Sequence, residues 1–334
     1  MRAVIVGCGA IASRWVRILS ADPRITIVAV VDPDPAAAER LTARFDLGAV
    51  RAPTLLQVLT AHPVDVVVNL TPPEAHAETT LLALDAGLHV LTEKPLATSF
   101  ADAVRLVHAA RRAGRVLAVM QNRGSDPGFL AFRDAVRPHS GPYAVAAEVF
   151  VALPSPGFRT RQARPATVDL AVHAFDQVRN LVAAPPAHVA CREEPLGFLG
   201  EHCAVTTITV TFTDGSTFTY RGGYAGPGLR TPATGAWRLD APGFAARWDG
   251  AATLETTDGA GDAGMRAVSL PDAVPGYQGC ITEMLRALHE GAPAVDGSGN
   301  LGSIALLDAA LASADDGGQP VPVPPTLEFD DASR

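Results

Sequence analysis

Hydrophobic and polar positions in the first 120 residues switch repeatedly between two periods. Short, nearly unbroken apolar runs at Arg2 to Val6, Thr26 to Val31, Val64 to Leu70, His89 to Thr92 and Val116 to Met120 read as strands. Helical spacing fills the gaps: Ile11 to Leu19, Pro35 to Phe45, from Thr71-Pro72-Pro73 through about Ala86, and from about Ser99 to Ala113. Pro35 falls in a first helical turn, where its missing N–H does no harm. Continuous Val/Ile/Leu strands alternating with helices imply a parallel sheet covered on both faces. Ligands of such sheets bind beyond the carboxyl ends of the strands. Further on, Tyr143 to Ala152, Ala204 to Thr213, Thr217 to Arg221, Ala236 to Asp240, Ala245 to Trp248 and Thr253 to Thr256 read as strands, with Asp214-Gly215 as a hairpin turn.

At 334 residues the chain suits two domains. With 48% hydrophobic and 19% charged residues it has ample material for packed cores. A formal charge of −8 argues against a nucleic-acid partner, whose phosphates reward clustered Lys and Arg. The cysteines Cys8, Cys191, Cys203 and Cys280 are scattered, with no CxxC and no His at metal-ligand spacing, so no metal site is expected. Reduced thiols and a cytoplasmic setting are expected instead. No apolar run approaches the length of a membrane span, and no membrane partner is expected.

Gly7-Cys8-Gly9-Ala10-Ile11-Ala12 is a GxGxxA form of the dinucleotide fingerprint. Gly7 permits the tight turn, Gly9 the approach of a pyrophosphate to the backbone, and Ala12 close helix–strand packing. Ala10 and Ile11 open the helix, whose N-terminus offers amides and a positive dipole end to phosphates. A glycine turn alone is found in any α/β protein. Here it follows a strand, opens a helix and precedes Asp32 by twenty residues counted from Ala12. The Asp32 carboxylate accepts hydrogen bonds from ribose hydroxyls and repels a 2′-phosphate, and Pro33-Asp34-Pro35 adds no cation, so NAD is favoured over NADP.

Read as a helix, Thr167 to Ala183 has one apolar face formed by Val168, Ala171, Val172, Phe175, Val178, Leu181 and Val182. Asp169, His173 and Asp176 fall on a roughly opposite stripe, either a solvated face or one turned toward a cleft. Imidazole is the side chain whose ordinary pKa suits proton exchange with a hydroxyl near neutrality.

Thr71-Pro72-Pro73-Glu74-Ala75-His76, Glu93-Lys94-Pro95 and Asp169-Leu170-Ala171-Val172-His173, in this order after the fingerprint, resemble the glucose-fructose oxidoreductase / inositol dehydrogenase / MocA (Gfo/Idh/MocA) family. The resemblance covers nearly the whole chain, including Gly276 to Ala314, similar to the family's closing helices. It implies an N-terminal Rossmann domain over residues 1–122. A C-terminal α+β substrate and oligomerisation domain over 123–334 follows, with a large, mostly antiparallel open sheet and assembly into a homodimer or homotetramer. It makes Lys94 and His173 the catalytic pair with Asp169 beside them: His173 exchanging the hydroxyl proton, Lys94 stabilising alkoxide charge, and Asp169 orienting His173 or binding a neighbouring hydroxyl. It places Thr71, Pro72 and His76 against the nicotinamide half of the cofactor, although a structural His76 fits equally well. Glu93 touches the cofactor ribose or fixes the Lys94 loop. Asn122, with Lys94, Asp169 and His173, borders the substrate, and Asp176 reads equally as a substrate contact or a solvated carboxylate. Arg159, Arg161 and Arg164, in a Pro-rich loop, read as solvated. Unlike many relatives, the chain has no glycines before or within its DxxxH pair.

The expected activity is hydride transfer between NAD and a hydroxyl or keto carbon of a sugar, amino sugar, cyclitol or related polyol. One alternative enzyme keeps its NAD bound and uses transient oxidation for epimerisation, elimination or glycoside cleavage. An alternative of another class is a non-catalytic NAD-binding regulator, which has no need of the Lys94, Asp169 and His173 set.

Overall fold

The computed structural model describes residues 1–152, 162–196, 204–225, 230–258, 266–268, 276–290 and 297–326. They form two compact units: Met1–Met120 with Cys280–Leu301, and Gln121–Gly279 with Gly302–Glu328. The first boundary falls two residues before the expected one. The second expectation needs correction, because Cys280–Leu301 returns to the first unit instead of staying with everything after residue 122.

In the first unit, β1 (Arg2–Val6), β2 (Thr26–Val31), β3 (Val50–Ala52), β4 (Val66–Asn69), β5 (His89–Thr92) and β6 (Leu117–Val119) form one sheet in the order β3-β2-β1-β4-β5-β6. Every pairing is parallel. Its helices are α1 (Ala12–Leu19), α2 (Pro35–Phe45), α3 (Leu55–Ala61), α4 (Pro73–Asp85) and α5 (Phe100–Ala113). The central strands are buried on both sides, as their unbroken apolar runs require. β3 and α3 were not apparent in the pattern: β3 is a three-residue edge strand, and its Val50 is exposed. Asp34, Thr54 and Ser99 cap α2, α3 and α5 by accepting amides of the first turn.

The second unit opens with α6 (Pro127–Val136), capped by Asp126, and builds a nine-stranded sheet. Its strands are β7 (Ala144–Ala152), β8 (Pro186–Pro195), β9 (Ala204–Phe212), β10 (Thr217–Ala225), β11 (Ala236–Ala241), β12 (Phe244–Trp248), β13 (Leu254–Asp258), β14 (Arg266–Val268) and β15 (Val321–Pro322). Their order is β14-β13-β12-β11-β7-β10-β9-β8-β15, antiparallel except for β7 with β10. The expected Asp214-Gly215 turn joins β9 to β10, with Gly215 at φ +86° and Asp214 accepting the Ser216 amide. β8 went unread because prolines bound it and Arg192-Glu193-Glu194 breaks its alternation.

Alternation sorts each strand between two faces. Val145, Ala147, Phe218, Tyr220, Trp237, Leu239 and Trp248 are buried, whereas Glu148, Thr219, Arg221, Arg238 and Arg247 point outward. On the buried side Phe129 of α6 lies between Trp237 and Trp248, at ring centroid distances of 5.9 and 6.3 Å. A Cβ at Gly128 would stand 2.6 Å from the Trp248 ring, so this glycine sets how closely α6 approaches the sheet. The outer side carries a groove of about 460 Å³ lined by Ala146, Glu148, Arg238, Arg247 and Glu255. The chain's late helices are α8 (Gly276–Glu290) and α9 (Ser298–Asp315). Among the described residues no helix is long and apolar enough to cross a membrane.

The helix expected over Thr167 to Ala183 also needs correction. Ala166–Ala171 is π-helical, and only Val172–Arg179 (α7) is α-helical. A π segment widens the turn by shifting its hydrogen bonds to i→i+5, and such segments are frequent at functional sites.

Phe129→Ala is expected to destabilise the second unit by about 3 kcal/mol, because it removes a fully buried ring from between two tryptophans. Urea unfolding followed by tryptophan fluorescence reads this directly.

Candidate active site

In the first unit the sheet order reverses between β1 and β4, and their carboxyl ends form the crevice where such folds bind ligands. Gly7 follows β1 with φ +97°, and a Cβ there would lie 2.5 Å from the Leu70 carbonyl oxygen just past β4. Only glycine fits. A Cβ at Gly9 would meet nothing within 4 Å, so the backbone there faces open space, as a pyrophosphate's approach requires. Ile11 stands at the N-cap of α1 without a side-chain cap, and Ala12 is fully buried behind it. Asp32 accepts the Cys8 amide at 2.8 Å and the Asp34 amide at 2.8 Å, one on each carboxylate oxygen. The acidic residue and the glycine loop are thereby held together. Burial first, and the Asp32 charge second, push the Cys8 thiol up to about 12, so it stays protonated at neutral pH.

The ends of β4 and β5 are braced from within. Asn69, fully buried, accepts the Thr71 amide at 3.2 Å and the Thr71 hydroxyl at 2.7 Å. Its amide nitrogen donates to the His76 carbonyl and the Thr80 hydroxyl, each at 3.1 Å. The His76 ring, 1% exposed, has Nδ1 2.6 Å from the Pro95 carbonyl and Nε2 2.8 Å from the Thr71 carbonyl. Burial lowers its pKa, and the two carbonyls work against that shift. His76 thus ties the turn after β4 to the segment after β5. In that segment Glu93 is buried and accepts the indole N–H of Trp15 from α1 at 2.8 Å. Lys94 is half-buried, and its bond to Pro95 is cis.

In the second unit the π segment and α7 carry Asp169, His173 and Asp176. Glu193 of β8 accepts the Ala166 and Thr167 amides at 3.1 and 2.8 Å and so caps the start of the π segment. Asp169 is half-buried and accepts the Tyr224 hydroxyl. His173 is only 5% exposed, so of the two readings of its stripe the solvated face does not hold at this residue. Asp176 faces Gly124, where a Cβ would stand 2.4 Å from its Oδ2, and it accepts the Ser303 hydroxyl at 3.5 Å. Burial pushes the Asp176 carboxyl up to about 6, with Arg179 and Ser303 opposing the shift. Asn122 is half-buried, and its carbonyl lies where a Cβ at Gly276 would fall 2.4 Å away.

Residues 1–121 match the sequence model of the Gfo/Idh/MocA group, described as an oxidoreductase family with an NAD-binding Rossmann fold. Over these residues the chain is similar to the Gfo/Idh/MocA family. It is 41% identical over 120 residues to dTDP-3,4-didehydro-2,6-dideoxy-alpha-D-glucose 3-reductase of Saccharopolyspora spinosa, covering 35% of each protein. It is 33% identical over 202 residues to 1,5-anhydro-D-fructose reductase of Ensifer adhaerens, covering 58% of this chain and 60% of that one. The chain therefore spans about a third to three-fifths of the length of these two curated relatives. An oxidoreductase from Agrobacterium radiobacter, solved with NAD+, L-tartaric acid and magnesium, superposes with a TM-score of 0.83. That match covers 96% of this chain and 98% of the other at 19% identity, a likeness of fold.

Within this chain, Gly7, Gly9, Ala10, Ile11, Asp32, Thr71, Pro72, His76, Glu93 and Lys94 all lie in the first unit, just beyond strand ends or opening α1 and α4. Asn122, Asp169, His173 and Asp176 lie in the second. His76 and Glu93, expected against the cofactor, are engaged by Pro95, Thr71 and Trp15. Asp176 is occupied within the protein by Ser303 and Gly124. Arg159 and Arg161 lie outside the described residues, as does Cys203; Arg164 pairs with Asp315 at 2.6 Å. Among the described residues no group of three or more His, Cys, Asp or Glu is placed to hold a metal ion. Sequence reasoning missed Asn69, Glu193, Tyr220 and Tyr224. A polar residue closing Val-Val-Val, and the Tyr220-x-Gly222-x-Tyr224 alternation, were the available signals for three of them.

Asp176→Asn separates a buried carboxyl from a solvated one. Its raised pKa means that the folded protein holds a proton the unfolded chain gives up near 3.8. Wild-type stability relative to the variant is therefore full below that pH and falls as pH rises toward 6. Thermal melts are expected to coincide near pH 4, with the variant more stable by about 2 kcal/mol at pH 7.5.

Proposed function

We propose that this chain is an NAD-dependent dehydrogenase or reductase acting on a hydroxyl or keto carbon of a sugar, amino sugar, cyclitol or related polyol. The observation that carries the reading is His173, a buried imidazole one helical turn beyond Asp169, whose carboxylate is fixed by a tyrosine. The names of relatives support the substrate class: besides the two sugar reductases, an inositol 2-dehydrogenase of Saccharopolyspora erythraea is 32% identical over 198 residues.

The first unit fits NAD by its own features. Gly9 leaves room for a pyrophosphate, α1 begins without a side-chain cap, and Asp32 supplies acceptors for ribose hydroxyls and repulsion for a 2′-phosphate. Bound NAD supplies the hydride acceptor for alcohol oxidation. His173 takes the hydroxyl proton as the C–H bond breaks and returns it in the reverse direction. Lys94 hydrogen-bonds the reacting oxygen and stabilises its developing negative charge. Asp169 orients His173 or accepts a neighbouring substrate hydroxyl. Asn69 and His76 hold the loops flanking Lys94, so that its ammonium is placed before substrate arrives. In the same reading the outer face of the nine-stranded sheet, with its groove at Glu148 and Arg238, is where a second copy docks to form a dimer or tetramer.

The test is reduction of free NAD, followed by absorbance, across neutral sugars, amino sugars, sugar acids and inositols. At least one polyol is expected to react, with NAD preferred to NADP. Lys94→Ala and His173→Ala are each expected to lower kcat/KM by at least about 100-fold. NAD that copurifies, is never reduced in net amount and supports isomerisation of a sugar would instead select the tightly bound-cofactor reading.

A further inference from the structure

The π segment bearing Asp169 packs against β10, on the strand face that presents Tyr220, Gly222 and Tyr224. The Tyr224 hydroxyl donates to Asp169 Oδ2. Tyr220, 1% exposed, lies along the strand over Gly222, where a Cβ would stand 2.3 Å from its hydroxyl oxygen. Glycine at 222 leaves the space that the Tyr220 hydroxyl occupies. Arg123, in the turn after β6, is 8% exposed. Among the described residues neither its Nη1 nor the Tyr220 hydroxyl makes a hydrogen bond. Burial pulls the Arg123 guanidinium down from its ordinary pKa, while Tyr220, Asp169 and Tyr224 pull it back, in that order.

A buried guanidinium is costly unless an anion compensates it, and in this neighbourhood Asp169 is the carboxylate that acts on it. The other ionisable groups around the segment are committed elsewhere or neutral. Glu193 of β8 is spent on the Ala166 and Thr167 amides, and Arg164 is paired with Asp315. Cys191 is a buried thiol pushed toward protonation, β9 contributes only hydroxyls such as Thr206, and His173 sits on the same helix as Asp169. The Asp169 carboxyl acts on Arg123, so a substrate anion brought to Arg123 would also be under its influence.

We propose that Arg123 and Tyr224 are positioning residues for Asp169, the buried guanidinium standing as its countercharge and the phenol fixing its orientation. Resting on the reading of Asp169 as a site residue, this assigns to the turn after β6 and to β10 a share in setting the pH range of catalysis. A nearby cation and a donating hydroxyl each favour the carboxylate and lower its pKa, so removing either raises it.

Two measurements test the proposal, one of them independent of any substrate. The difference in stability between wild type and Asp169→Asn, followed against pH, changes where Asp169 titrates. In backgrounds carrying Arg123→Gln or Tyr224→Phe that midpoint is expected to rise by about one pH unit, and Arg123→Lys is expected to restore it. With the polyol that reacts best, the acid limb of kcat/KM is expected to move up equally, kcat falling more than KM rises. If Arg123→Gln fails to fold, Tyr224→Phe, which deletes one oxygen, decides the matter. An unmoved midpoint and acid limb in folded variants, or Arg123→Lys behaving like Arg123→Gln, would overturn the proposal. So would a rise in KM confined to sugar acids with the limb in place, since Arg123 would then be a receptor for substrate carboxylates. Failure of every polyol to reduce NAD would count against the dehydrogenase reading while leaving the stability midpoint to judge this one.

Discussion

A polar group at the carboxyl edge of a buried parallel sheet has no water to turn to, and the loops of the first unit are shaped by that requirement. Asn69 closes a strand of three valines and is itself fully enclosed. Its carboxamide meets the need by folding the next residues back: the carbonyl oxygen takes both donors of Thr71, and the amide reaches the start of α4. Once the turn is so fixed, the His76 ring falls between the carbonyls of Thr71 and Pro95 and carries the restraint on to the Lys94 segment. On the other side of the crevice, Asp32 does for the glycine loop what Asn69 does for the Thr71 turn. The positions expected to face a ligand are thus held by contacts made within the protein.

The second unit meets the same problem with charges. Glu193 spends its carboxylate on two backbone amides, and Asp169 has a phenol. Asp176 gains little from its surroundings, and its carboxyl rises into the neutral range as a result. Burial raises the Glu193 carboxyl too, and its two amide donors work against that shift as Arg179 and Ser303 do at Asp176.

The first unit was the more readable half, because parallel strands buried on both faces write themselves as unbroken apolar runs and the fingerprint follows one of them. What escaped notice there was short or exposed, as with Val50–Ala52. In the second unit each strand shows only every other residue to the core, so β8, interrupted by Arg192-Glu193-Glu194, left no trace and took Glu193 with it. The spacing of Asp169 and His173 identified the segment but not its π geometry, nor that Glu193 holds its first amides from a distant strand. Local periodicity carries information about neighbours along the chain. Partners supplied from some 25 or 55 positions away, such as Glu193 and Tyr224, lie beyond it.

The passage of Cys280–Leu301 back into the first unit bears on how such a protein can be taken apart or assembled. Residues 1–121 carry the whole nucleotide fingerprint and the whole parallel sheet, and they are also the stretch that matches the family's sequence model. Yet Gly297 lies against Leu117 and Val107, and buried Ile281, Met284 and Leu285 belong to the same unit. The piece defined by ancestry is therefore smaller than the piece defined by packing. A gene fragment ending at residue 121 would carry every residue expected to touch a dinucleotide and still expose apolar surface, so inheritance of this module must travel with the far end of the chain.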